Sequence, residues 1–254
     1  MSDNYSITLY HLFPDLLNLY GDKGNIAVFT KRCEWRGIHV EYRTLHENET
    51  PDFEGVDIVL LGGGSNREQL LVSKYAPAVS PALKEYVEAG GVLLAVCAGF
   101  QMLGKSYEAD GQTIGCFGIL DYCTISGEGR LIGNIAIEAE LGGQKMLLTG
   151  FENHGGRTDI GSYTPLGKVV CGFGSDGVSG YEGVHYKNVI ATYLHGPLLP
   201  KNPELADYLI EKALQKKYPD TFDGCLAPLD NTIEEKAKSF VIERELNRQR
   251  EENK

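Results

Sequence analysis

VLLAVCAGFQMLG, residues 92–104, decides the fold of this chain. Val92–Val96 is a near-continuous apolar run, the pattern of a parallel strand covered on both faces. It runs straight into Cys97, then into small residues, with a short helix expected from Gly99. A strand that turns sharply into a helix holds the intervening side chain above the sheet edge, the geometry of a nucleophile elbow, here with sulfur. Ala95, Ala98 and Gly99 are small, as a crowded turn requires. The helix N-terminus is expected to favour a thiolate and lower the Cys97 pKa. The alternative for Cys97 is a buried structural thiol at a strand end.

Outward from this stretch, strands and helices alternate. Ile7–Leu12, Val40–Thr44 and Asp57–Leu61 read as strands, and Asn25–Arg36 as a helix closed by Gly37. Pro81–Ala89 reads as a helix with Pro81 in its first turn and Gly90-Gly91 after its end. This order implies a mostly parallel α/β sheet flanked by helices. From about Gly115 the pattern changes to short strands between glycine-rich turns, expected to be antiparallel additions to that sheet: Ile135–Ala139, Lys145–Thr149, Lys168–Phe173, Gly180–His185 and Val189–Tyr193. Pro203–Lys217 reads as a helix with Asn202 as its cap. Asn231–Lys254 reads as a charged helix whose stripe of Ile233, Ala237, Phe240 and Val241 packs on its own domain or on a partner. Residues 1–217 are thus expected to form the main domain and 218–254 a helical extension.

Composition narrows the function. Lys and Arg number 24 against 35 Asp and Glu, a net charge of −11, which argues against nucleic-acid and anionic-membrane partners. Hydrophobic residues make up 42% and charged residues 23%, an ordinary globular balance that excludes wholesale disorder. No run approaches 18 apolar residues, and MSDNYSITLYHLFPD lacks the charged-then-apolar order of a secretory signal. The six cysteines, Cys33, Cys97, Cys116, Cys123, Cys171 and Cys225, form no CxxC, so reduced thiols in a cytoplasmic protein are expected.

A cysteine nucleophile needs a base. His195, in ATYLHGPLLP, follows a strand and is the best placed of the six histidines; the C-terminal end of a strand is where open α/β sheets put their sites. His154, in GFENHGGRT, is second, and His11, His39, His46 and His185 follow. LLGGGSNREQ, residues 60–69, ends a strand in three glycines whose N–H groups are suited to an oxyanion. It lacks the Gly-Lys-Ser/Thr of a phosphate-binding loop, and a strained turn is the plain alternative.

VCAGFQMLG, GGGSNREQ and YLHGP, in this order, resemble the class I (triad-type) glutamine amidotransferases of the cobyric-acid-synthase-like branch, over about residues 5–217. That family has a flavodoxin-like α/β fold. Within the branch, HLFPDLLNLYGDKGN, GFENHGGRT, GVHYKNV and YLHGPLLPKNPEL are similar to the amidotransferase subunits that serve peptidoglycan synthesis. The resemblance implies that this chain releases ammonia from L-glutamine, with no metal or cofactor of its own. A Mur-ligase-like ATP-dependent synthetase, its heterodimer partner and the holder of ATP and Mg, would amidate the D-glutamate α-carboxyl of the stem peptide. It implies Cys97 as nucleophile, His195 as general base, Gly63, Gly64 and Ala98 in the oxyanion hole, Gln101 lining the substrate pocket, and Arg130 holding the α-carboxylate of glutamine.

One departure is visible: many such enzymes carry His-Pro-Glu, whereas here the order is His195-Gly196-Pro197. The third carboxylate is expected from the partner, with Glu204 the nearest in sequence. Other readings are an amidotransferase of cobalamin-type synthesis, a stand-alone cysteine hydrolase, and a non-catalytic binding subunit. The cobalamin-type enzymes fuse an ATP-using domain ahead of the amidotransferase domain, so the expectation here is a separate polypeptide.

Overall fold

The computed structural model describes residues 5–19, 22–109 and 111–252; the first four residues of the stretch read for a secretory signal, and the last two of the charged terminal helix, lie outside these. The first half comprises β1 (Ser6–Leu12), α1 (Lys23–Glu34), β2 (His39–Leu45), β3 (Ile58–Leu61), α2 (Asn66–Ser73), α3 (Ala76–Glu88), β4 (Val92–Val96) and α4 (Ala98–Leu103). Then follow β5 (Ser106–Ala109), β6 (Gln112–Gly115), β7 (Cys123–Leu141), β8 (Gln144–Asp159), β9 (Gly167–Cys171), β10 (Tyr181–Glu182), β11 (Val184–Tyr186), β12 (Val189–Thr192), α5 (Pro203–Lys217) and α6 (Thr232–Glu252).

The central sheet has the order β11-β12-β4-β3-β1-β2. Five of its strands are parallel and β11 is an antiparallel edge. Every residue of β3, β4 and β12 is buried, which is why β3 and β4 read as unbroken apolar runs and β12 is apolar up to Thr192. The strand order reverses at β1, and the crevice outside such a switch point is where ligands bind in open α/β sheets. Here the chain after β1 meets the chain after β3, and Leu19 pairs with Gly63.

Of the antiparallel additions expected on that sheet, β11, at the end of the expected Gly180–His185 strand, is one; most of the glycine-rich part goes elsewhere. β5 to β10 form a second sheet of their own, built around the long β7–β8 hairpin. Val189–Thr192, expected among the additions, is instead parallel to β4 in the central sheet. Its four residues are all buried, and only a doubly covered central position supplies that burial.

Three local readings also change. The third helix starts at Ala76, with Pro77 in its first turn and Pro81 inside; Ala76, Val79, Leu83, Tyr86 and Val87 form the buried stripe that carries it past the second proline. Asn202 stands at the N-cap of α5 as expected, but its side chain makes no capping hydrogen bond. Its carboxamide pairs with both backbone groups of Thr149, tying α5 to β8. On α6 the expected stripe faces solvent, with Ile233 80% and Phe240 66% exposed. The helix packs instead through Ile242 and Leu246 on Ala136 and Cys171 of the second sheet, locked by Asn134–Glu245 and Lys238–Glu204 contacts. Residues 218–231 are held to the same body, with Arg36 donating to the Ala227 carbonyl and Arg32 to Asn231.

Candidate active site

Cys97 sits between β4 and α4 with φ 54 and ψ −105. A non-glycine residue there is strained, and it persists only because both flanking elements hold it. The Cys97 N–H bonds the Thr192 carbonyl of β12. Gly99 explains its own identity: a Cβ there would lie 2.3 Å from the Leu61 carbonyl oxygen. The elbow helix therefore lies directly on the end of β3, and Gly99 N–H bonds the Gly62 carbonyl at 3.0 Å.

The triple glycine has the same cause. A Cβ on Gly62 would lie 2.2 Å from the Leu17 carbonyl oxygen, and one on Gly64 would lie 2.7 Å from the Leu17 side chain. Leu16, Leu17, Leu19 and Asp22 of the HLFPDLLNLYGDKGN stretch, whose Tyr20 and Gly21 lie outside the described residues, thus pack onto the turn. Phe13 and Leu17 are core, Leu16 packs against it, and Leu19 is exposed at the cavity rim.

A cavity of about 500 Å³ opens over Cys97, within the size range of small-molecule sites. Gly64, Cys97, Gln101 and Arg130 share its wall with Gln69, Asn153 and His154. Ala98 and His195 lie behind the wall, fully buried or nearly so. Gly63 is turned away: its N–H donates to Asp22 Oδ2 at 2.7 Å. Of the three residues expected to form the oxyanion hole, Gly63 has its donor engaged elsewhere.

His195 follows β12 as Cys97 follows β4, so neighbouring parallel strands deliver both to the same sheet edge. The second sheet holds His195 as well, through two backbone hydrogen bonds with Phe151 of β8. Burial pushes its imidazole down to about 4, helped by His154, Lys201 and Arg130, so it is neutral and able to take a proton at ordinary pH. Burial pushes the Cys97 thiol up to about 12; Asp22 raises it further and the Ala98 N–H opposes. The expectation of a lowered thiol pKa is therefore reversed, because desolvation outweighs one turn of helix. Both groups are thus uncharged at ordinary pH.

Gln101 is fixed between neighbours, accepting from Gln69 Nε2 at 2.9 Å and donating to Tyr193 Oη at 3.1 Å. Tyr193 continues this network to Thr158. Arg130 is exposed but pinned, its guanidinium donating to Asn153 Oδ1 at 2.8 Å and to the Asn153 carbonyl at 2.7 Å. His154 stacks on Tyr193, with ring centroids 3.6 Å apart and planes within 2°, bonds the Gly156 carbonyl, and lies 3.7 Å from the buried Glu152. Glu204 is committed to Lys238 of α6. Asp22, Gln69, Glu152, Asn153 and Tyr193 escaped the sequence reading; each is an ordinary polar residue whose place comes from a contact distant in sequence. Ser65-Asn-Arg-Glu68 did carry a local signal, a capping box that starts α2 at the cavity.

The glutamine amidotransferase class defined by this fold and elbow is matched directly. Residues 8–203 fit the profile of the CobB/CobQ-like glutamine amidotransferase domain, and the chain belongs to that family. It is 44% identical over 249 residues to the GatD subunit of the glutamine-hydrolysing lipid II isoglutaminyl synthase of Staphylococcus aureus, covering 97% of this chain and 98% of that one. The GatD subunit from Streptococcus pneumoniae is 40% identical, over 84% of this chain and 83% of that one. A crystal structure of a glutamine amidotransferase superposes with a TM-score of 0.53 at 18% identity, over 80% of this chain and 98% of that one, and shares the fold. No helix among the described residues is long and apolar enough to cross a membrane.

Proposed function

We propose that this chain is the glutaminase subunit of a lipid II isoglutaminyl synthase. The observation that carries this is the 44% identity running the length of both chains. The elbow cysteine at the foot of a cavity large enough for glutamine supports it. The Cys97 sulfur attacks the carboxamide carbon of L-glutamine while its proton passes to His195. The oxyanion is met by the N–H groups of Ala98 and Gly64, each such donor contributing roughly 2.7–4 kcal/mol in known holes. The C–N bond breaks, and His195 returns the proton to the departing ammonia. Water then adds to the γ-glutamyl thioester, releasing glutamate and the Cys97 thiol. Arg130, already oriented by Asn153, suits the α-carboxylate.

The partner is a Mur-ligase-like synthetase holding ATP and Mg in the cytoplasm, where ammonia reaches the activated D-glutamate carboxyl of the stem peptide. Its carboxylate completes the orientation of His195, since Glu204 is engaged by Lys238. Glutamate release from glutamine, measured for the chain alone and with the synthetase, tests this reading. Strong activation by the synthetase and loss of both glutamate and amidated lipid II in Cys97→Ser are expected. Glutamate without lipid II amidation would remove the assigned acceptor, and full activity without the synthetase would remove the shared carboxylate.

A further inference from the structure

Asp22 stands where a helix cap belongs, immediately before α1, yet its side chain makes no capping hydrogen bond. It turns inward, 1% exposed, and takes the Gly63 N–H at 2.7 Å. Its other oxygen is 3.4 Å from Asn25 Nδ2, and Asn25 in turn accepts the Leu199 N–H at 2.8 Å. A Cβ built on Gly24 would lie 2.6 Å from Pro197, two residues past His195. The start of α1 thus touches both the glycine turn and the histidine loop. A Cβ built on Gly63 would lie 3.4 Å from Asp22 Oδ2 and 3.6 Å from Cys97 Cβ, so the carboxyl and the nucleophile flank the same glycine.

We propose that Asp22 is a positioning residue of glutamine hydrolysis, pinning Gly63 so that Gly64 offers its N–H to the cavity, and sharing a single negative charge with the Cys97 thiolate. This rests on the glutaminase reading and adds a residue to it. A buried acceptor without a cation is costly to keep unless it satisfies something equally costly to leave open. Here that is the Gly63 N–H. A carboxylate and a thiolate flanking one buried glycine repel, so charge on one disfavours charge on the other. Burial pushes Asp22 up to about 7, opposed by the Gly63 N–H, so a neutral carboxyl beside the thiolate is accessible at ordinary pH. The groups acting on Cys97 are Asp22 and Glu182, which oppose a thiolate, and Arg130 and the Ala98 N–H, which favour it. His195 receives the proton.

The test uses D22A and D22N in the intact chain. Carbamidomethylation of Cys97 by iodoacetamide, followed by mass across pH, reads the shared charge. Both variants should alkylate with a midpoint below that of the wild type. The kcat and KM for glutamine, measured with the synthetase present, read the turn. D22A should lose about 10–100-fold in kcat, a fraction of the cost of deleting an oxyanion donor, with KM little changed. D22N keeps an acceptor oxygen and should recover most of that loss. Wild-type alkylation profiles in both variants overturn the shared charge; undiminished kcat in D22A, or D22N as slow as D22A, overturns the positioning. If the wild type itself releases no glutamate, the failure is that of the glutaminase reading, and the alkylation profile still decides whether Asp22 and Cys97 are coupled.

Discussion

Gly99→Ala is the sharpest probe of how the elbow is built. The added methyl would sit 2.3 Å from the Leu61 oxygen, 2.9 Å from the Leu61 carbonyl carbon and 3.1 Å from the Gly62 oxygen. All three neighbours are backbone atoms in a buried strand and its turn, so no side chain can swing aside. Reaching ordinary contact needs α4 to retreat from β3 by about 1 Å. That retreat stretches the 3.0 Å bond from Gly99 N–H to Gly62 and moves Cys97 and Ala98 away from Gly64. A misplacement of that size costs on the order of 100-fold in rate, and overpacking costs about 1–3 kcal/mol of stability. In a domain of this size, each kcal/mol lowers Tm by about 2–4 °C. Glutamate release from saturating glutamine, with a thermal melt on the same sample, reads both. Gly115→Ala is the control, because nothing lies within 4 Å of its added methyl. If Gly99→Ala turns over within about twofold of the wild type, the distance between α4 and the β3 turn does not set the rate.

Arg130→Lys removes the planar fork and the two bonds to Asn153; KM for glutamine should rise about 10–100-fold, the worth of a hydrogen bond to a charged group, with kcat nearly unchanged. An unchanged KM would free Arg130 from the substrate. Acid sensitivity follows from the buried histidines. Burial lowers His11 and His195 to about 4 from an ordinary 6.5, so between those values the unfolded chain binds protons that the folded chain refuses. Their contribution is complete above pH 6.5 and is lost as pH falls toward 4; raised Asp22 has the opposite sign, losing its contribution as pH rises toward 7. Urea unfolding of His11→Asn should show a shallower acid slope than the wild type, and an equal slope would refute this. His195→Ala should abolish glutamate release, and turnover near the wild-type rate would take the base role from it.

Cys97, His195 and the triple glycine were legible because each lies where a strand ends, and strand ends are marked locally by apolar runs that stop at small residues. The central strands were legible for the same reason, being buried on both faces. Asp22 was not. As an Asp at a helix start it resembles any cap, and only the tertiary structure shows that it bonds Gly63, 41 positions away. The direction of the Cys97 pKa was likewise beyond a local reading, since burial depends on every element around the site. On α6, periodicity picked out Ile233 and Phe240, and the structure instead buries Ile242 and half-buries Leu246. A weakly amphipathic helix takes its orientation from the ion pairs and surface it meets.

By itself, then, the sequence determined the strand–helix alternation, the elbow and the cysteine at it, because these depend on neighbours along the chain. Only the tertiary structure decided that the glycine-rich half forms a second sheet, that its strand β8 clamps His195, and that Gly63 gives its N–H to Asp22. Those outcomes depend on burial and on hydrogen-bond partners brought together from distant parts of the chain, which no local pattern encodes.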